Sequence, residues 1–180
     1  MKKKYKLTEE TIEYFGHTLY RIEALKDFAD VKVGDKGGYI ESEENLSQEG
    51  NAWVYDSAKV FGSAKVFGSA IVYDSATVCN SATVFGSANV CGSAEVSNQS
   101  SLLWISGIGS RLGTTTAFTN KDGGISISCG CFSGTLDEFE KEVDTTHGNS
   151  KYGKEYKTLI ELINIHFKVG KIHVEVGNGG

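Results

Sequence analysis

Apolar and polar positions fall on a six-residue period from Ala52 to Asn98. Valine stands at Val54, Val60, Val66, Val72, Val78, Val84, Val90 and Val96. Alanine follows four places on, at Ala58, Ala64, Ala70, Ala76, Ala82, Ala88 and Ala94, and serine precedes each of these alanines. Before the serine stands Asp56, Gly62, Gly68, Asp74, Asn80, Gly86 or Gly92, all types that accept a positive φ at least cost. An aliphatic residue, a permissive corner and a small residue on this period predict a hexapeptide β-solenoid. Each hexad makes one short strand and one corner, so three hexads close a triangular coil. Residues eighteen apart then stack in parallel ladders. Val54, Val72 and Val90 form one inward column, Val60, Val78 and Val96 a second, Val66 and Val84 a third. The outward residues stack too: Tyr55, Tyr73 and Cys91; Phe61, Cys79 and Ser97; Phe67 and Phe85.

Stepping back by six from Ala58 gives Ala52, Leu46 and Ile40, so an irregular first coil begins near Gly37. The whole is mainly β: a short parallel β-helix of about three coils (residues 37–100), an N-terminal β-hairpin cap (1–36) and a small C-terminal α+β cap (101–180). In the first cap, Thr11–Tyr14 and Thr18–Ala24 alternate around a turn at Phe15–His17. Its expected task is to cover the open end of the first coil, an otherwise unpaired strand edge. Val33–Gly38 is too rich in glycine for a strand and reads as a hinge. A phosphate cradle is the alternative there, without a surrounding P-loop pattern. In the C-terminal cap, Leu102–Ile105 reads as a strand and Ser106–Arg111 as a polar loop. Strands over Thr114–Thr119 and Ile125–Phe132 are joined at Asn120–Gly124. Thr135-Leu136-Asp137-Glu138 has the capping-box form and opens a helix to about Val143. A second helix, from about Lys151 to Phe167, puts Tyr152, Tyr156, Leu159, Ile160, Ile163 and Phe167 on one face. Lys171–Val176 has strand character.

With 180 residues, the chain suits one or two small domains. No apolar run reaches membrane-spanning length, and Lys2–Lys4 lead into polar sequence, so neither a signal peptide nor an anchor is expected. The four cysteines lack disulfide-like spacing, which suits a reducing, intracellular setting. A net charge of −5 argues against general nucleic-acid binding. An aromatic outer row is a poor solvent surface and a good contact surface. Tyr55, Phe61, Phe67, Tyr73 and Phe85 are therefore candidate contacts of a homo-oligomer.

The repeat resembles the left-handed β-helix of hexapeptide-repeat proteins, which implies left-handed crossovers and assembly as trimers through flat prism faces. The remainder resembles hexapeptide-repeat proteins encoded by phages and prophages. That likeness rests on Ile108-Gly109-Ser110-Arg111, Thr114–Ala117, Gly130–Phe139 and Thr146-His147-Gly148. Upstream it rests on Gly37–Glu41, Asn45–Ser47 and Ala52–Val54. It implies a cytoplasmic location in an infected bacterial host. Such proteins are often labelled acyltransferase-like, and the enzymes hold a histidine base beside the groove between prisms. This solenoid contains no histidine. His17 lies in the first cap, and His147, His166 and His173 lie beyond the coils, with His147 in a polar loop between helices.

The chemistry therefore points to the caps. Cys129 and Cys131 on one strand face lack a second pair at metal spacing, so no metal is expected, nor is any cofactor. Gly109 lets backbone approach a ligand, Ser110 offers a hydroxyl and Arg111 a bidentate fork. Thr114 and Thr115 add hydroxyls, and His147 can approach the same ligand, a helix-terminal residue bonding to backbone being its competing structural role. The partner read from this set is a small anion of nucleotide type; an Arg111 pair with Asp137 or Glu138 is the competing structural role. With the phage likeness, the expected function is non-catalytic sequestration of a nucleotide-type immune signal. Acyl transfer from a coenzyme A thioester and a purely structural or protein-binding oligomer are the alternatives.

Overall fold

A computed structural model describes residues 3–168 of the chain. The expected strand character at Lys171–Val176 lies outside the described residues. Three long strands come first: β1 (Tyr5–Tyr14), β2 (His17–Ala24) and β3 (Lys36–Ile40). Eight two-residue strands follow on the six-residue period, β4 (Trp53–Val54), β5 (Lys59–Val60), β6 (Lys65–Val66), β7 (Ile71–Val72), β8 (Thr77–Val78), β9 (Thr83–Val84), β10 (Asn89–Val90) and β11 (Glu95–Val96). They stack as parallel rungs eighteen residues apart, β4 on β7 on β10, β5 on β8 on β11, and β6 on β9. Between rungs the backbone turns at Asp56, Gly62, Gly68, Asp74, Asn80, Gly86 and Gly92, all at positive φ. The valines and alanines fill the interior. Alanine fills the inward position beside each corner, where the turning backbone leaves little room for a longer side chain. The result is a β-solenoid of about three coils, with a small α+β cap carrying two helices.

Gly37 and Gly38 are not a hinge. They lie inside β3, which pairs antiparallel with β2 and parallel with β5. A Cβ at Gly37 would stand 2.5 Å from the Val54 carbonyl oxygen, and one at Gly38 would stand 2.6 Å from that of Ala58. The glycines let this strand cross the mouth of the coil at backbone contact. The same contact occupies the space that a phosphate would need.

The hairpin β1–β2 thus extends the solenoid sheet and closes its end. Tyr5, Ile22 and Ala24 join the solenoid core from one side. From the other, Leu19 is buried on Phe61 and Cys79, with Ile12 and Tyr14 beside them. His17 Nδ1 lies 2.9 Å from Glu41 Oε1, and Glu41 Oε2 accepts the Gly62 N–H, tying the hairpin tip to a corner. Phe61, a candidate oligomer contact, therefore faces its own chain. Trp53 steps outward beside Val54, yet it is buried beneath Tyr5 (6.0 Å between rings) and Phe28 (5.3 Å).

Lys4 is fully buried in this arm and donates from Nζ to the Ala52 carbonyl at 2.8 Å. Burial, with the Lys26 charge behind it, pushes its amine down to about 8. Between about pH 8 and the ordinary lysine value of 10.5 the folded chain has shed a proton that the unfolded chain keeps. The unfolded state binds more protons there, so stability rises with pH. Urea unfolding at pH 8 and pH 10 is expected to show a gain of about 2–3 kcal/mol from this group. In Lys4→Met that gain should vanish; an equal gain in the variant would assign it to other groups. The buried tyrosines begin to oppose it near pH 10, where their hydroxyls ionise in the unfolded chain but not in the folded one, since burial raises the Tyr5 hydroxyl well above its usual value of 10.0.

The C-terminal cap is a four-stranded antiparallel sheet, β12 (Leu102–Ile108), β13 (Gly113–Thr119), β14 (Ile125–Cys129) and β15 (Phe132–Thr135), in that order. Two helices follow, α1 (Leu136–His147) and α2 (Lys151–His166). The capping box at Thr135 and Glu138 is present. The turn at Asn120 is held by its side chain, which accepts from the Asp122 and Gly124 amides. Three boundaries differ from expectation. β12 runs on to Ile108, because Ser106 and Ile108 pair with Thr114 and Gly113. The expected strand over Ile125–Phe132 is two strands folded at Gly130, whose φ is 61°. Helix α1 reaches His147 and stops at Gly148, also at positive φ. One face of the sheet sends Leu102 and Phe118 into the solenoid core, and the other packs on the helices.

Candidate functional site

The register of β12, β13 and β14 brings two turns together at one end of the sheet, Gly109–Leu112 and Gly130–Cys131. Helix α1 runs beside them and α2 lies behind. A cleft of about 240 Å³ opens between these elements, lined among others by Ser110, Arg111, Cys131, Phe132, Glu142 and His147. Phe139 and Tyr156 form its inner wall. Their rings meet edge to face at 5.6 Å, and the His147 ring stacks on Tyr156 at 5.4 Å. The rings of Phe132, Phe139, His147 and Tyr156 thus all line the cleft.

Gly109 is essential to this wall. It is buried at φ 72°, and a Cβ there would overlap the Tyr156 hydroxyl. Its amide donates to Glu155 Oε2 at 2.9 Å, which fixes the loop to α2. Behind the wall, Cys129 Sγ accepts from Thr115 Oγ1 at 3.1 Å and lies 3.8 Å from the Tyr156 hydroxyl. Burial, helped by Cys129, raises the Tyr156 hydroxyl to about 12, so it remains a protonated donor at neutral pH.

At the mouth stands Arg111. Its exposed guanidinium has no hydrogen bond or ion pair with any described residue. Glu138 is occupied by the capping box, accepting from the Thr135 amide at 2.8 Å. The opposite side carries Glu142, whose carboxylate accepts from Thr146 at 2.7 Å. A ligand carrying an anion could meet Arg111 and lay a planar group against the rings.

Of the expected ligand residues, Ser110, Arg111 and His147 share this cleft, the histidine reaching it from the last turn of α1 rather than from a loop. Gly109 shapes it from behind. Thr115 is buried against Cys129, and Thr114 bonds Ser106 at 2.7 Å, so neither hydroxyl lines the cleft. Phe132, Phe139, Glu142 and Tyr156 also line the cleft, and the sequence does not mark them as ligand residues. Phe139 and Tyr156 carry the spacing of ordinary core positions on helices, which hides a second use. Among the described residues no cluster of His, Cys, Asp and Glu could hold a metal ion. No helix among them is long and apolar enough to cross a membrane.

The fold defines a short β-solenoid of six-residue repeats closed by a hairpin and an α+β cap. No family model matches the chain. It is similar to an uncharacterized acetyltransferase, YdcK, of Escherichia coli K12, at 40% identity over 62 residues. The matched part is 30% of this chain, and the chain spans about a fifth (19%) of the length of that relative. The likeness and the solenoid together fit the hexapeptide-repeat proteins.

Proposed function

We propose that the cleft beside Arg111 binds a small anionic, ring-bearing ligand of nucleotide type and holds it without transforming it. The unpaired Arg111 at the mouth of an aromatic cleft carries this reading. A guanidinium fork matches phosphate oxygens with two parallel hydrogen bonds, while Phe132, His147 and Tyr156 offer faces for a base. The cleft suits part of such a ligand, with the remainder outside. In the setting that the phage likeness implies, the role is sequestration of a nucleotide-type immune signal of the host.

Calorimetric titration with cyclic dinucleotides and ADP-ribose-type nucleotides tests this. A charge-assisted hydrogen bond contributes about 1.5–3 kcal/mol, so Arg111→Ala should weaken binding at least about tenfold. Arg111→Lys, which keeps the charge but not the fork, should fall between. Heat denaturation of the complex should release the ligand unchanged. Absence of binding by every one of these compounds would end the nucleotide reading.

A second reading is favoured by the acetyltransferase likeness and by His147 in the cleft. Acyl transfer predicts thiol release from acetyl-coenzyme A when an acceptor is present, lost in His147→Ala. Ligand recovered intact and no thiol release together would separate the two.

A further inference from the structure

The sheet of the C-terminal cap has two edges, and they are unlike. β15 has four residues, includes the exposed Ser133 and runs straight into α1. β12 is seven residues long and, on the side away from β13, has no backbone partner among the described residues. Apolar surface flanks it on both faces. On the solenoid side, Trp104 meets Phe85 edge to face at 5.4 Å. Phe85 stacks on Phe67 at 5.4 Å, and the two rings remain 36% and 40% exposed. On the helix side, an open groove has an apolar floor of Ile105, Ile108, Leu159 and Leu162 with Lys154 and Glu155 among its polar lining, and Ile165 beyond it is 74% exposed. Long apolar edges are what soluble proteins blunt with charge, proline or short strands. Between Leu102 and Ile108 there is neither a charge nor a proline.

We propose that β12 is an assembly edge, and that its occupant is β12 of a second copy, paired antiparallel about a two-fold axis. The strand is its own complement: Leu102 and Trp104 serve one face, Leu103 and Ile105 the other. An isologous contact closes at two copies and leaves no edge exposed. Seven residues span about 24 Å, and the apolar strips on both faces widen the contact beyond the strand itself, toward the ~800 Å² per partner of a standard interface. The axis also reverses α2. Lys154 and Glu161, neither of them ion-paired among the described residues, then lie at opposite ends of antiparallel helices, each facing the other's charge. This places the contact on the cap rather than on the prism faces that the repeat suggests.

Light scattering of the full chain at tens of micromolar should give a dimer mass. Leu162→Glu with Ile165→Glu, two exposed positions, should weaken dimerisation at least tenfold with an unchanged circular dichroism spectrum. Hydrogen exchange on the unaltered protein decides the matter even if that variant misfolds. The outward β12 amides should be protected at high concentration and exchange fast on dilution. Protection independent of concentration would mean that the chain's own residues 169–180 or another intramolecular cover fills the edge, and would overturn the proposal. So would a monomer at every concentration, or a trimer broken by Phe67→Ser with Phe85→Ser but not by the α2 changes.

Discussion

Alanine at Trp53 is expected to lower the unfolding free energy by about 3–5 kcal/mol, the range for truncating a buried large aromatic side chain. The indole is where the N-terminal arm grips the first regular coil, through Tyr5 and Phe28. Removing it leaves a cavity too deep for either neighbour to fill, since Tyr5 is held by its hydroxyl to the Leu46 carbonyl at 2.6 Å. The arm would then open at lower denaturant than the coils, and the exposed β3 edge would favour aggregation. Phe67→Ala makes the comparison, because that ring stacks on Phe85 at the open face. Its removal should cost about 0.5–1.5 kcal/mol. Urea unfolding measures both. Equal losses would mean that the arm does not brace the coil.

The second large effect is expected at Gly109. Alanine there meets two penalties, a left-handed backbone costing about 1–2 kcal/mol and a collision with the Tyr156 hydroxyl. Overpacking of this kind adds about 1–3 kcal/mol. Because Tyr156 stacks on His147, the displaced ring would carry the cleft wall with it. Gly109→Ala should therefore lose both stability and nucleotide binding, and shift the His147 ring protons in an NMR spectrum. Gly113→Ala is the control for stability. Its Cβ meets nothing within 4 Å and its φ is not positive, so the change should stay within about 0.5 kcal/mol. A neutral Gly109→Ala would show that the loop has room to move.

The coils are legible in the sequence because each hexad repeats the same local problem. A corner needs positive φ, and Asp56, Asp74 and Asn80 stand where Gly62 and Gly86 stand in other hexads, all with φ between 51° and 66°. The caps are legible only where a local rule acts, as at Thr135 or the Asn120 turn. Elsewhere the decisive contact is distant in sequence. Nothing near Gly37 says that the strand must cross Val54 and Ala58 at backbone distance. Composition alone makes such a pair of glycines look like a hinge. Phe61 reads as an oligomer contact from its outward phase, but the hairpin that covers it belongs to the same chain. Arg111 and His147 share a cleft because a sheet register and a helix length coincide, and periodicity carries neither.

The rungs repeat at eighteen residues, and the two caps bind opposite ends through different contacts: Gly37 and Gly38 on the Val54 and Ala58 carbonyls at one, Trp104 against Gly86 and Lys121 against Ser93 at the other. Chain length in this molecule is therefore countable in whole coils. Duplicating residues 65–82 would add one storey of about 4.8 Å without altering what either cap touches. Adding six or twelve residues would instead swing the C-terminal cap by one or two faces of the prism. Variation in this architecture is then discrete, and natural indels between the caps should come in eighteens.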